Sequence, residues 1–305
     1  MIDPATFVGR TFGKGAYEIR QKLGEGGMGV VFRAWDAEAG RDVAVKFLRT
    51  DGPVDPETIS RFKNEGRKYG TLRHPNLVRV YALGKEEGLL YIASEFVEGK
   101  NLYQLLVKGA VPVDRALSIV QDAARGLAVA HGKMFVHRDL KPENIMVRDA
   151  DGQVKVLDFG IAKDLNASIA LTVAGHYIGT PAYSAPEQIR GEPVDRRADI
   201  FALGVILYEL LTGKVAFGGR NTVEILQRTR REAPTPANKL NAEVSGPVAR
   251  LIDRMIMKSP AKRPDSCEEV VEEIDRIRAQ LATGVSDEDE RGIRGFLKRL
   301  FGDED

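Results

Sequence analysis

The apolar pattern of this 305-residue chain changes period near Gly99, and that change limits the folds open to it. Before it, apolar and aromatic runs lie at 17–23, 30–35, 41–48, 77–83 and 89–96. Runs of this length with alternating polar residues predict half-buried strands. Ala39-Gly40 and Lys85-Glu86-Glu87-Gly88 supply turns between them. One stretch of this region, 56–72, has another spacing, with Ile59, Phe62 and Tyr69 placed as on one face of a helix. Beyond Gly99 the pattern is mainly helical, at 102–107, 113–133, 199–212, 222–230, 245–257 and 267–282. The reading is an α+β chain with a small β-rich lobe over 17–97 and a larger α-helical lobe over 98–282. Their connection near 95–99 is short, so a cleft is expected between them. Residues 1–16 read as an N-terminal extension, and 283–305 as an acidic linker followed by an amphipathic helix.

Composition narrows the function. With 43% hydrophobic residues the chain can bury a sizeable core. Lysine plus arginine (45) nearly balance aspartate plus glutamate (44), which gives no bulk attraction to nucleic acid. One cysteine, Cys267, excludes an internal disulfide and fits a reducing compartment. No amino-terminal stretch joins a basic start to an apolar run, so no signal peptide is expected. The longest apolar segment, 200–211, contains Glu209, is too short to span a bilayer and reads as a buried helix. A cytoplasmic chain is expected. In the tail, Ile293, Phe296, Leu297, Leu300 and Phe301 recur at helical spacing opposite Arg294, Lys298 and Arg299. So short a helix needs a surface to fold against. Its own domain, a membrane surface and a partner groove are the candidates for 291–301. The second would make the chain peripheral to a membrane.

Two aspartates stand in contexts of little use to a core. Asp139 lies in His137-Arg138-Asp139-Leu140-Lys141-Pro142-Glu143-Asn144, and Asp158 in Leu157-Asp158-Phe159-Gly160. Either alone could cap a helix or form a turn. Upstream stand Leu23-Gly24-Glu25-Gly26-Gly27-Met28-Gly29-Val30-Val31 and Val43-Ala44-Val45-Lys46. The glycines alone could be a hairpin turn. Strands on both sides favour a phosphate loop, because glycine lets backbone N–H groups approach phosphate closely. The same context argues against a dinucleotide fold, where a helix should follow. Phosphoryl transfer needs phosphates gripped, metal held, the acceptor oriented and charge neutralised. The chain carries one residue for each task.

In this order, the set resembles the eukaryotic-like protein kinase family over about 17–280, and its Gly26-Gly27-Met28-Gly29 loop looks most like the bacterial branch. The resemblance implies ATP with magnesium, manganese being a second candidate, and protein substrates. Lys141 within its motif, and Gly179-Thr180-Pro181 leading to Ala185-Pro186-Glu187, are similar to serine/threonine rather than tyrosine kinases. It further implies that Leu23, Gly24, Gly26 and Gly29 cover the phosphates, while Val31 and Ala44 sandwich the adenine above Met146. The backbone of Glu95 and Val97 would bond the base. Ser94, just before that segment, is small and would leave space for an apolar extension. Lys46 would hold the α- and β-phosphates, partnered by Glu65, with Glu57 and Glu87 as lesser candidates. Asp139 would be the base, Lys141 would neutralise the transferring group, and Asn144 and Asp158 would bind metal. His137, Phe159 and Tyr69 would pack as a column. Thr180 would hydrogen-bond toward Asp139 and Lys141, Asp199 would hold the loop backbone, and Glu187 would pair with Arg263. Arg138 and Lys163 form a basic pair that phosphate on Thr172, then Ser168, would order. A nucleotide-binding scaffold is disfavoured because Lys46, Asp139, Asn144 and Asp158 are all present. A small-molecule phosphotransferase is disfavoured by the segment ending in Glu187. A homodimer is expected by analogy alone.

Overall fold

The computed structural model describes residues 4–27, 29–48, 59–60, 62, 64, 66, 69–158 and 181–283. The chain divides into two compact units, Met1–Val107 with Val129–Thr180, and Lys108–Ala128 with Pro181–Asp305.

The first unit is built on an antiparallel sheet in the order β1-β2-β3-β4-β6-β5. Its strands are β1 Thr11–Phe12, β2 Tyr17–Gly26, β3 Gly29–Asp36, β4 Arg41–Leu48, β5 Val80–Glu86 and β6 Leu89–Glu95. The five predicted strands are present. β2 and β3 run further than expected, because pairing continues through the glycines to Gly26↔Gly29. Period-two alternation sends Phe32, Ala34, Val43, Val45, Phe47, Tyr91 and Ala93 into one buried cluster. Val31, Ala44 and Lys46 fall on the other face and are half-buried.

The N-terminal segment closes that cluster. Phe7 (2% exposed) and Phe12 (0%) pack into it, Phe12 with its ring 4.7 Å from that of Phe47. β1 pairs with β2 through Thr11↔Glu18 and Phe12↔Tyr17. Arg10 binds the carboxylate of Glu87, and the N–H of Gly13 donates to Glu86. A two-residue strand shows no alternation, so the sequence carries no strand signal there.

A second antiparallel sheet joins β7 Gly99–Asn101, β8 Ile145–Arg148 and β9 Val154–Val156. It lies beyond Gly99, where a mainly helical pattern is read. These strands are only three or four residues long, too short to establish a period. Val156 ties β9 to the segment before β5: its N–H donates to Asn76 O, and its carbonyl accepts from Val78 N–H. Asn101 caps α1 Leu102–Leu106 in a reciprocal bond with Gln104. α2 spans Val113–Gly132, and the described positions within 59–69 are helical, as expected.

The second unit contains α3 Pro186–Arg190, α4 Arg197–Thr212, α5 Thr222–Arg231, α6 Ala237–Leu240, α7 Gly246–Met255 and α8 Cys267–Thr283. α4 is the buried helix expected at 200–211; Asp199 is buried in its first turn, and Tyr183 donates its hydroxyl to Glu209 at 2.7 Å. Glu187 and Arg263 pair as expected, bidentately at 2.7 and 2.8 Å. Both are buried, and Arg263 also donates to the carbonyls of Met257 and Arg197. Such a fork satisfies two buried charges at once. The described residues include no helix long and apolar enough to cross a membrane.

Candidate active site

Register across the first sheet collects one group of predicted residues. Val31 pairs with Lys46 across β3 and β4, and Ala44 pairs with Ser94 across β4 and β6. These four therefore lie together on the half-buried face, with Ser94 Oγ 3.4 Å from the carbonyl of Ala44. Leu23 sits further along β2 and is 44% exposed. The three glycines differ in what holds them. A side chain on Gly29, where φ is +148°, would overlap the carbonyl oxygen of Phe47, so the fold itself requires glycine there. At Gly24 and Gly26 an added Cβ would meet nothing within 4 Å. Packing does not explain those two.

The loop after α2 is held by a closed hydrogen-bond circuit. The N–H of Asp139 donates to His137 Nδ1 at 3.3 Å. That assignment leaves the ring proton on Nε2, which donates to the carbonyl of Leu157 at 2.7 Å. The N–H of Leu157 donates to the carbonyl of Asn144 at 2.8 Å, and Asn144 Nδ2 donates to the carbonyl of Asp139 at 2.9 Å. His137 is thus more than the packing residue expected from sequence: it is buried with both ring nitrogens bonded. Arg138 and Asp158 both adopt left-handed backbone, with φ of +60° and +48°. Non-glycine residues held there typically cost about 1–3 kcal/mol each, and they persist where surroundings over-determine them. Here the circuit runs through Asp139 and Leu157, the immediate neighbours of both.

Lys46 and Asp158, 112 positions apart, form an ion pair at 2.7 Å. The Asp158 side chain is 46% exposed; partial desolvation alone would push its carboxyl up, but Lys46, then His137 and Lys141, hold it below the usual carboxylate range. Lys141 Nζ lies 3.9 Å from Asp139 Oδ2. The expected partner Glu65, and Glu57, lie outside the described residues, as do Phe159, Lys163, Ser168, Thr172 and Thr180. Glu87 is engaged by Arg10 and is not a partner of Lys46. The Tyr69 ring lies 4.4 Å from that of Phe135.

Glu95 ends β6, Val97 is buried just beyond it, and Met146 lies in β8 opposite Lys155. Lys155 escaped the sequence reading. Its ammonium lies 2.8 and 2.9 Å from the two carboxylate oxygens of Glu95. The available signal was a lysine set inside the apolar run Val154-Lys155-Val156-Leu157. For a metal, the donors are the Asp158 carboxylate and the amide oxygen of Asn144, whose nitrogen is committed to Asp139. No cluster of three or more histidine, cysteine or acidic side chains fit for a metal occurs among the described residues. One carboxylate and one amide oxygen would suit magnesium, a hard cation that prefers oxygen ligands.

Residues 17–274 match the protein kinase domain. The serine/threonine-protein kinase pkn3 of Myxococcus xanthus is 40% identical over 285 residues, covering 90% of this chain and 52% of that protein. Serine/threonine-protein kinase PrkC of Bacillus subtilis is 38% identical over 90% of this chain and 43% of its own length. This chain thus spans about half or less of the curated relatives it matches. The solved kinase domain of PknI from Mycobacterium tuberculosis is 26% identical, with a TM-score of 0.71 over 91% of this chain and 98% of that one. The architecture, the site geometry and these matches agree: the chain belongs to the protein kinase family.

Proposed function

We propose that the chain is an ATP- and magnesium-dependent protein serine/threonine kinase. The observation that carries this is the convergence of Lys46, Asp139, Asn144 and Asp158, drawn from distant parts of the sequence, through one ion pair and one hydrogen-bond circuit. In this reading Gly24 and Gly26 are glycines because a triphosphate passes close to them, the fold itself making no demand there. Lys46 takes the α- and β-phosphates. Asp158 and Asn144 hold magnesium, which when bound offsets the negative charge on the phosphates. Asp139 orients the acceptor hydroxyl and accepts its proton as the new O–P bond forms and the bond to the bridging β,γ-oxygen breaks, releasing ADP. Lys141 offsets charge on the group in flight. Val31, Ala44 and Met146 enclose the base, and the small Ser94 leaves room beside it.

Autophosphorylation at Thr172, then Ser168, is part of the proposal, with Arg138 and Lys163 receiving the phosphate. Cytoplasmic location, a membrane or partner contact through 291–301, and a homodimer stand as further proposals. The test is transfer of labelled phosphate from ATP to casein or myelin basic protein. Serine and threonine labelling is expected, and Asp139→Asn should reduce it by about 10²- to 10⁴-fold. Label reaching only small molecules, or equal transfer by Asp139→Asn, would refute the assignment.

A further inference from the structure

We propose that Lys155 is a positioning residue for the base-reading segment of the nucleotide site, acting through Glu95; the proposal rests on the kinase reading above. Lys155 is 6% exposed, in the middle of β9. Its ammonium bridges both carboxylate oxygens of Glu95, at 2.8 and 2.9 Å, across 60 positions of sequence. The same carboxylate accepts the N–H of Arg79 at 3.2 Å, and the N–H of Glu95 donates to the carbonyl of Arg79 at 2.8 Å. Glu95 is therefore held by main chain and side chain together.

Net stability is a weak reason for such a pair. Taking an ammonium and a carboxylate out of water costs about as much as their attraction returns, and apolar residues of similar volume often serve a core as well. What the pair supplies is geometry. It joins β9 to the end of β6, where the backbone of Glu95 and Val97 is proposed to meet the adenine. β9 is itself fixed by Val156, bonded to Asn76 and Val78, and it leads within three residues to Asp158 and its partner Lys46. Met146, the proposed contact on the other side of the base, is the register partner of Lys155. One short strand thus references three parts of the site to each other. Lys155 itself has its ammonium committed to Glu95, so its influence on the nucleotide is indirect.

Steady-state kinetics with ATP and with GTP test this on the full chain. Lys155→Met is expected to raise KM for ATP roughly tenfold while leaving kcat within about twofold, because the loss falls on base recognition and not on transfer. The preference for ATP over GTP should shrink by a similar factor. Lys155→Arg should restore most of the ATP preference, and Lys155→Met added to Glu95→Gln should cost little more than either alone. Should Lys155→Met fail to fold, Glu95→Gln carries the same comparison. An unchanged KM and ATP preference in a folded variant overturns the proposal. So does a parallel loss of ATP and GTP turnover that tracks a fall in Tm, which would make the pair purely structural. Failure of the unaltered chain to transfer phosphate from ATP would strike the kinase reading itself, before any variant is compared.

Discussion

The ammonium of Lys258 lies 3.5 Å from the centroid of the Phe217 ring, buried and without a hydrogen-bond partner. Burial, reinforced by the charge of Arg263 and opposed by Glu232, pushes it down to about 7. Between about pH 7 and the ordinary lysine value near 10.4 the unfolded chain then binds more protons than the folded one, so stability rises with pH across that window. Lys258→Met should melt higher than the unaltered chain at pH 7, and the difference should narrow by pH 9; parallel melting curves would show that the charge is not penalised. Asp158 titrates in the opposite sense. Its lowered carboxyl adds stability above the ordinary aspartate range, and that stability disappears as pH falls through the folded value. Asp158→Asn is expected to flatten the dependence of Tm on pH below about 5, as read by calorimetry. The acidic and basic residues proposed for the site, Lys155 apart, could be singled out in the sequence because each stands in a short local context. The role of His137 was not, because its two bonds reach Asp139 on one side and Leu157, twenty positions away, on the other.

Elements were legible in proportion to their length. Strands β2 to β6 of the large sheet and the long helices repeat their apolar spacing often enough to be read, whereas β1, β7, β8, β9, α3 and α6 do not. β1 is the most consequential case. Its Phe12 fills the core behind Phe47, the residue next to Lys46. Phe12→Ala should destabilise the chain by about 3–5 kcal/mol, the usual range for emptying a buried aromatic site. Urea unfolding measures it, and an unchanged midpoint would remove the N-terminal segment from the core.

For the molecule as a whole, ligand binding is the direct readout of the assembled site. A ligand at 100 times its Kd stabilises the folded state by about 2.7 kcal/mol. Mg·ATP at that level should raise Tm by several degrees, and the rise should vanish in Lys46→Met and shrink when magnesium is omitted; a shift retained in Lys46→Met would detach that lysine from nucleotide binding. Fold class and the order of the motifs follow from linear pattern, since periodicity and motif spacing are properties of neighbouring residues, while the Glu187–Arg263 pair was expected from the family resemblance. The ion pair of Lys46 with Asp158, the circuit through His137, the link from Lys155 to Glu95 and the burial of Phe12 belong to the folded chain alone. Each joins groups far apart in sequence, and such partnerships are set by strand register and by which face of a sheet is left to be filled.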